Sequence, residues 1–130
     1  MKTIIAGCRD FTDYGLLKKH MDEFIKNHEV TEIVSGGARG TDKLGQEYAI
    51  ENNIKYTVHE ARWVDNGKAA GPIRNKLMAE YADQLVAVWD GKSKGTYNMI
   101  QNMNKLQKPV YVIWIGEIGQ AQIEYSTLSF

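Results

Sequence analysis

Five short apolar runs recur along this chain: TIIA at 3–6, TEIVS at 31–35, IKYTVH at 54–59, QLVAVW at 84–89 and PVYVIWI at 109–115. Segments of helical periodicity stand between them. That alternation constrains the fold more than any other feature. Strands joined by helices return to the same edge and pair in parallel, with the helices covering the sheet. The spacing predicts helices over Tyr14–Asn27, Thr41–Asn52, Pro72–Ala82 and Thr96–Leu106. Their expected inward residues are Leu16, Leu17, Met21, Phe24 and Ile25; then Leu44, Tyr48 and Ala49; then Ile73, Leu77, Met78 and Tyr81; then Ile100, Met103 and Leu106. Pro72 suits a first helical turn. The fold class is α/β, a Rossmann-like three-layer sandwich: a parallel sheet of about five strands with helices on both faces. Residues 116–130 break the pattern, and AQIEY within them reads as a short edge strand.

The 130 residues fit one domain spanning 1–130. Apolar residues at 43% and charged residues at 25% exclude a disordered tail. No apolar run approaches the roughly 20 residues of a membrane span, so no membrane partner is expected. The 16 basic and 16 acidic residues cancel. A nucleic-acid partner is therefore unlikely on charge alone, because such proteins usually carry a basic excess. Cys8 is the single cysteine. No disulfide forms within the chain, which suits a cytoplasmic setting. The apolar run near the N-terminus is too short for a signal peptide.

In such sheets ligands bind beyond the carboxyl ends of the strands. Three loops there are unusual: GCRDF after the first strand (Gly7, Cys8, Arg9, Asp10, Phe11), SGGARGTD after the second (Ser35 to Asp42), and DGKSKGT after the fourth (Asp90 to Thr96). Each combines glycine, a small or hydroxyl residue and a cation. Glycine lets a backbone approach a ligand closely. Amides at a helix N-terminus bind anions, and arginine grips phosphate through two donors. Any one such loop is as readily a plain turn with a helix cap. Three on one edge point to a ligand with phosphates.

Two familiar phosphate motifs are absent. Gly91-Lys92-Ser93 ends like a P-loop, but Val86 stands where its first glycine belongs. Gly7-Cys8-Arg9 does not fit the dinucleotide fingerprint. His20, His28 and His59 are scattered, so no metal site is expected. Cys8 lacks a nearby base and reads as a small residue at a strand end rather than a nucleophile. Asp42 either complements the helix dipole or accepts a ligand hydroxyl and braces Arg39. Trp63, in a long polar loop, either stacks on a base or anchors a lid. Trp89 and Trp114 read as core, and Tyr97 as facing the ligand crevice.

Together GCRDF, VSGGARGTD, AAGPIRNKLMAEYADQLVAVWDG and SKGT resemble the SLOG superfamily, in particular its small YspA-like branch, over about residues 1–115. Relatives in that superfamily include the Lonely Guy phosphoribohydrolases and the DNA-processing proteins of transformation. The resemblance implies a sheet in the order 3-2-1-4-5, a nucleotide or nucleotide-derived ligand, and a homodimer or higher homo-oligomer. Arg74-Asn75 resembles the Arg-Lys pair of Lonely Guy enzymes, so Arg74 is the best ligand-gripping residue and the one catalytic candidate if the protein is an enzyme. Gly95-Thr96 match a further Gly-Thr. Met99 stands at the place of the glutamate that assists glycosidic cleavage, and a thioether cannot move a proton.

The expected ligand residues are Gly7, Cys8, Arg9, Phe11, Ser35, Gly36, Gly37, Arg39, Gly40, Asp42, Trp63, Arg74, Asn75, Asp90, Gly91, Ser93, Gly95 and Thr96. No cofactor is expected. The leading expectation is a protein that binds an ADP-ribose-like signal without consuming it, as a sensor or a phage-type sponge. The alternatives are an N-glycosidase using Glu47, Glu60 or Asp90, and a single-stranded DNA binder.

Overall fold

The computed structural model describes residues 1–115 and 125–127. Strands β1 (Lys2–Gly7), β2 (Glu32–Ser35), β3 (Lys55–Val58), β4 (Gln84–Trp89), β5 (Val110–Trp114) and β6 (Tyr125–Thr127) form one sheet in the order β3-β2-β1-β4-β5-β6. The first five are parallel, in the order the resemblance implied. β6 pairs antiparallel to β5. The expected AQIEY strand falls mostly outside the described residues, and β6 begins at its last residue.

Ile4 lies beside Val34 and Leu85 in register, which places β1 at the centre. β4 is buried at all six positions. A strand covered on both faces needs an apolar run rather than an alternating one. Successive side chains feed opposite faces. Ile4, Ala6, Leu85 and Ala87 pack beneath α4 (Ala70–Tyr81) and α5 (Lys94–Lys105) through Met78, Met99, Ile100 and Met103. Ile5, Ile33, Val86 and Val88 pack beneath α1 (Tyr14–Asn27) and α2 (Thr41–Glu51) through Leu17, Met21, Phe24 and Tyr48. Each fully buried Leu, Met or Phe stabilises the fold by about 1.5–3 kcal/mol.

The helix starts have local causes. Asp13 accepts from the amide of Leu16 at 3.1 Å and opens α1. Ser93 accepts from Thr96 and opens α5 two residues before the expected Thr96.

Three expectations are corrected. The loop after β3 contains a short helix, α3 (Trp63–Asn66), and a 3₁₀ turn at Gly67–Ala69. α4 starts at Ala70, so Pro72 is its third residue. Its inward face is also rotated: Ile73 and Leu77 are exposed, while Ala70, Gly71, Asn75, Met78 and Ala79 are buried. Small residues let α4 lie close to its neighbours, and Asn75 turns inward because α5 supplies it with acceptors. Ile25 and Leu106 are likewise exposed rather than inward. No described helix is long and apolar enough to cross a membrane.

Candidate functional site

The parallel order brings the unusual loops to one edge, where they lock together. The Thr41 hydroxyl donates to the Cys8 carbonyl at 2.9 Å and the Thr41 amide to the same oxygen at 3.3 Å. Gly40 sits at φ 74° with its backbone against that of Arg9, where a Cβ would collide. The loop after β1 therefore stands back to back with the start of α2. Ser35 accepts from the Gly37 amide at 3.0 Å, and Asp42 accepts from the Ala38 amide at 3.0 Å, which fixes the glycine turn from both ends.

Arg74 links this turn to α5. Its Nη1 donates to the Gly36 carbonyl at 2.8 Å and its Nε to Asn75 Oδ1 at 3.1 Å. The guanidinium lies so close to Gly36 that a Cβ there would displace it. Asn75 Nδ2 donates onward to Asn98 Oδ1 at 3.0 Å and to the Gly95 carbonyl at 3.3 Å. In the third loop, Asp90 Oδ1 accepts from the amides of Lys92 and Ser93, each at 2.8 Å.

Two crevices open on this edge. The first, about 480 Å³, is lined by Gly7, Cys8, Arg9, Arg39, Asp42, Arg74, Asn75, Asp90, Ser93, Gly95 and Thr96 among the expected residues. The second, about 520 Å³, is lined by Arg9, Gly36, Gly37, Arg39, Trp63 and Arg74. Arg9, Arg39 and Arg74 face both. Phe11, Ser35, Gly40 and Gly91 line neither. Phe11 is buried in the core under the loop, Ser35 is fully buried, and Gly40 and Gly91 make turns. Tyr97 also stands outside both crevices; it stacks on Trp89 with centroids 5.8 Å apart.

The sequence reading took Asp10 and Lys92 with their loops, left Met78 and Met99 out of the first wall, and weighed Glu60 of the second only as a catalytic substitute. Glu60 had a signal, since it follows β3 directly at the carboxyl edge. Met78 and Met99 carried a core signal and also form floor.

The electrostatics are mixed. Burial pushes the Cys8 thiol up to about 11, so it stays protonated and is no nucleophile near neutrality. Burial raises the Asp42 carboxyl to about 6, against the pull of the Ala38 amide and of Arg74. Burial also acts on Asp90, but the Lys92 and Ser93 amides hold it below the usual range. Arg39 meets Asp10 only at 3.5 Å, with both side chains exposed. Among the described residues Arg9 has no ion-pair partner. None of the described residues forms a group of three or more His, Cys, Asp or Glu able to hold a metal.

A Rossmann-like sheet with glycine turns, two helix starts and three arginines at one carboxyl edge defines a protein of the nucleotide- and DNA-binding class. The chain belongs to the YspA, cpYpsA-related SLOG family, whose model matches residues 1–65. It is similar to the Gene 61 protein of Mycobacterium phage D29, at 29% identity over 84% of this chain and 93% of that one. It is also similar in structure to DNA processing protein A from Helicobacter pylori, solved for its single-stranded DNA binding mode. That match has a TM-score of 0.66 and 25% identity, over 93% of this chain and 68% of the other. This corrects the expectation that nucleic acid is an unlikely partner. Net charge is a property of the whole surface, whereas the arginines here gather at one edge.

Proposed function

We propose that the protein holds a nucleotide or nucleotide-derived ligand at the carboxyl edge and retains it without turnover, as a sensor or sequestering protein. The observation that carries this reading is Arg74. It is anchored by Gly36 and Asn75, faces both crevices, and keeps the rest of its five donors for a ligand. Arg9 and Arg39 add charge on the same wall, as phosphate needs. An ADP-ribose-like signal, with phosphates between two sugars, has the chemistry to span both crevices. A sponge for a host defence signal is the version of this reading that suits a phage, the source of one similar protein.

Retention rather than hydrolysis rests on the carboxylates. Met99 is buried in the floor where the resemblance placed a glutamate. Asp90 is engaged by two amides, and Glu47 is exposed on α2 and lines neither crevice.

The test is mass spectrometry of nucleotides retained by the purified protein through filtration and released by heat. The panel is AMP, NAD, ADP-ribose and cyclic ADP-ribose isomers. Recovery of an intact ligand is expected, with Arg74→Ala weakening retention on the order of tenfold or more. Recovery as base and sugar phosphate would replace this reading with hydrolysis, and Asp42 and Glu60, which line the two crevices, would be the carboxyls to suspect.

A second reading, binding of single-stranded DNA, is favoured by the structural likeness to DNA processing protein A. A shift with a single-stranded oligonucleotide that weakens steeply with salt supports it.

A further inference from the structure

The second crevice contains a carboxylate that its surroundings leave unpaired. Glu60 lines it together with Arg9, Arg39 and Arg74. Among the described residues, Glu60 has no ion pair with any of these arginines. Arg74 is held by Gly36 and Asn75, and Arg39 leans toward Asp10. Arg62, close in sequence, pairs with Asp65 at 2.7 Å instead. Some exposed carboxylates find cations, as Glu51 meets Lys18 at 2.8 Å and Glu23 meets Lys26 at 3.2 Å. Glu47 and Glu80 share with Glu60 the lack of an ion pair among the described residues, and of these three Glu60 is the one that lines a crevice. A carboxylate kept apart from three guanidinium groups across a 520 Å³ crevice suits a ligand that is anionic at one end and carries N–H donors at the other. The volume lies within the ordinary range of small-molecule sites. Trp63 adds a large, half-exposed ring to the same lining, the kind of surface on which a flat partner stacks.

We infer that this crevice is a nucleobase subsite in which Trp63 stacks on the base and Glu60 accepts from its N–H edge, so that the ligand carries an amino-bearing base. The inference rests on the nucleotide reading of the arginine wall. A carboxylate only accepts hydrogen bonds. Guanine offers it two adjacent N–H groups, which two carboxylate oxygens accept together. Adenine and cytosine offer one amino group. Uracil and thymine flank their single N–H with carbonyls that repel a carboxylate. The affinity order is therefore guanine first, adenine and cytosine next, uracil and thymine last. A free nucleotide and a base in a single strand present the same edge.

The test titrates wild type, Glu60→Gln and Trp63→Leu with GMP, AMP, CMP and UMP, each competed with inorganic pyrophosphate. A second series uses short oligothymidylates with one guanine, adenine or cytosine inserted. Wild type is expected to prefer GMP to UMP by about tenfold or more. Glu60→Gln, which loses an acceptor and gains a donor, flattens that ratio toward unity and, having lost a negative charge in the crevice of the arginines, keeps or strengthens pyrophosphate competition. Trp63→Leu weakens all four nucleotides together. Equal binding of the four by wild type together with no base preference among the oligonucleotides, or an unchanged preference in Glu60→Gln, overturns the base subsite and leaves the arginine wall standing. Absence of binding to the nucleotides and to the oligonucleotides alike overturns the subsite and the nucleotide reading together. A preference seen with monophosphates supports the subsite with a free nucleotide as source, and one confined to the oligonucleotides supports it with a strand.

Discussion

Glu32 opens β2 and Asp42 stands in the first turn of α2, at opposite edges of the sheet. Both are nearly closed to solvent, at 5% and 6% exposure. Burial raises both carboxyls, yet they end on opposite sides of the usual range. At Glu32, donors from Tyr81, Thr57 and Lys55 overcome burial and hold the carboxyl below its ordinary value. At Asp42, burial prevails and the carboxyl rises to about 6. The whole amino edge follows Glu32. Gln84 donates to Thr3 at 2.8 Å, and Lys108 closes the end of α4 through the carbonyls of Ala79 and Ala82 at 2.7 Å each. The carboxyl edge instead leaves Arg9 and Glu60 facing crevices. The amino edge pairs its carboxylate internally, and the carboxyl edge leaves Arg9 and Glu60 without an ion pair among the described residues.

The sharpest way to break this comparison is Gly40→Val. Its positive φ and the Arg9 backbone against it make the carboxyl-edge loops rigid. A loss on the order of 4 kcal/mol is expected in urea unfolding. A loss below about 1 kcal/mol would mean that the loops are not locked back to back.

Next comes Asp42→Asn. The native carboxyl near 6 lies above its ordinary 3.8, so the unfolded state ionises first and stability falls as pH rises between those values. The penalty approaches about 3 kcal/mol at full ionisation. Unfolding curves of the two proteins should diverge in favour of the variant from about pH 4 to about pH 6 and run parallel above. A difference that ignores pH would remove the contrast with Glu32.

The smallest effect belongs to Glu32→Gln. A native carboxyl held low contributes stability above its unfolded pKa and loses it as pH falls through the native one. The variant should cost about 1 kcal/mol near neutrality and nothing in strong acid. Nucleotide retention should not change, and a change would mean that the two edges are not separate.

The sheet was legible because apolar runs and helical periods alternate without interruption. The site was legible where glycine, hydroxyl and arginine follow a strand, as at Gly36 to Arg39. What escaped had physical reasons. The inner face of α4 is made of Gly71, Asn75 and Ala79, which carry no apolar stripe, so Ile73 and Leu77 looked inward and are not. α3 spans four residues, too short for any period. Glu60 was weighed only as a catalytic substitute, because an unpaired carboxylate is visible only once its neighbours are in place. Asp42 was seen as complementing the helix dipole, or as a hydroxyl acceptor and brace for Arg39. Its titration near neutrality depends on burial that no spacing encodes.

Arg74 is a partition with a face in each crevice, and its position is set by hydrogen bonds from two sides. Because Gly36 and Asn75 already hold the guanidinium, its ordering is complete before any ligand arrives. The two crevices share one prefixed cation, so a ligand long enough to span both would meet it from two sides without ordering it anew.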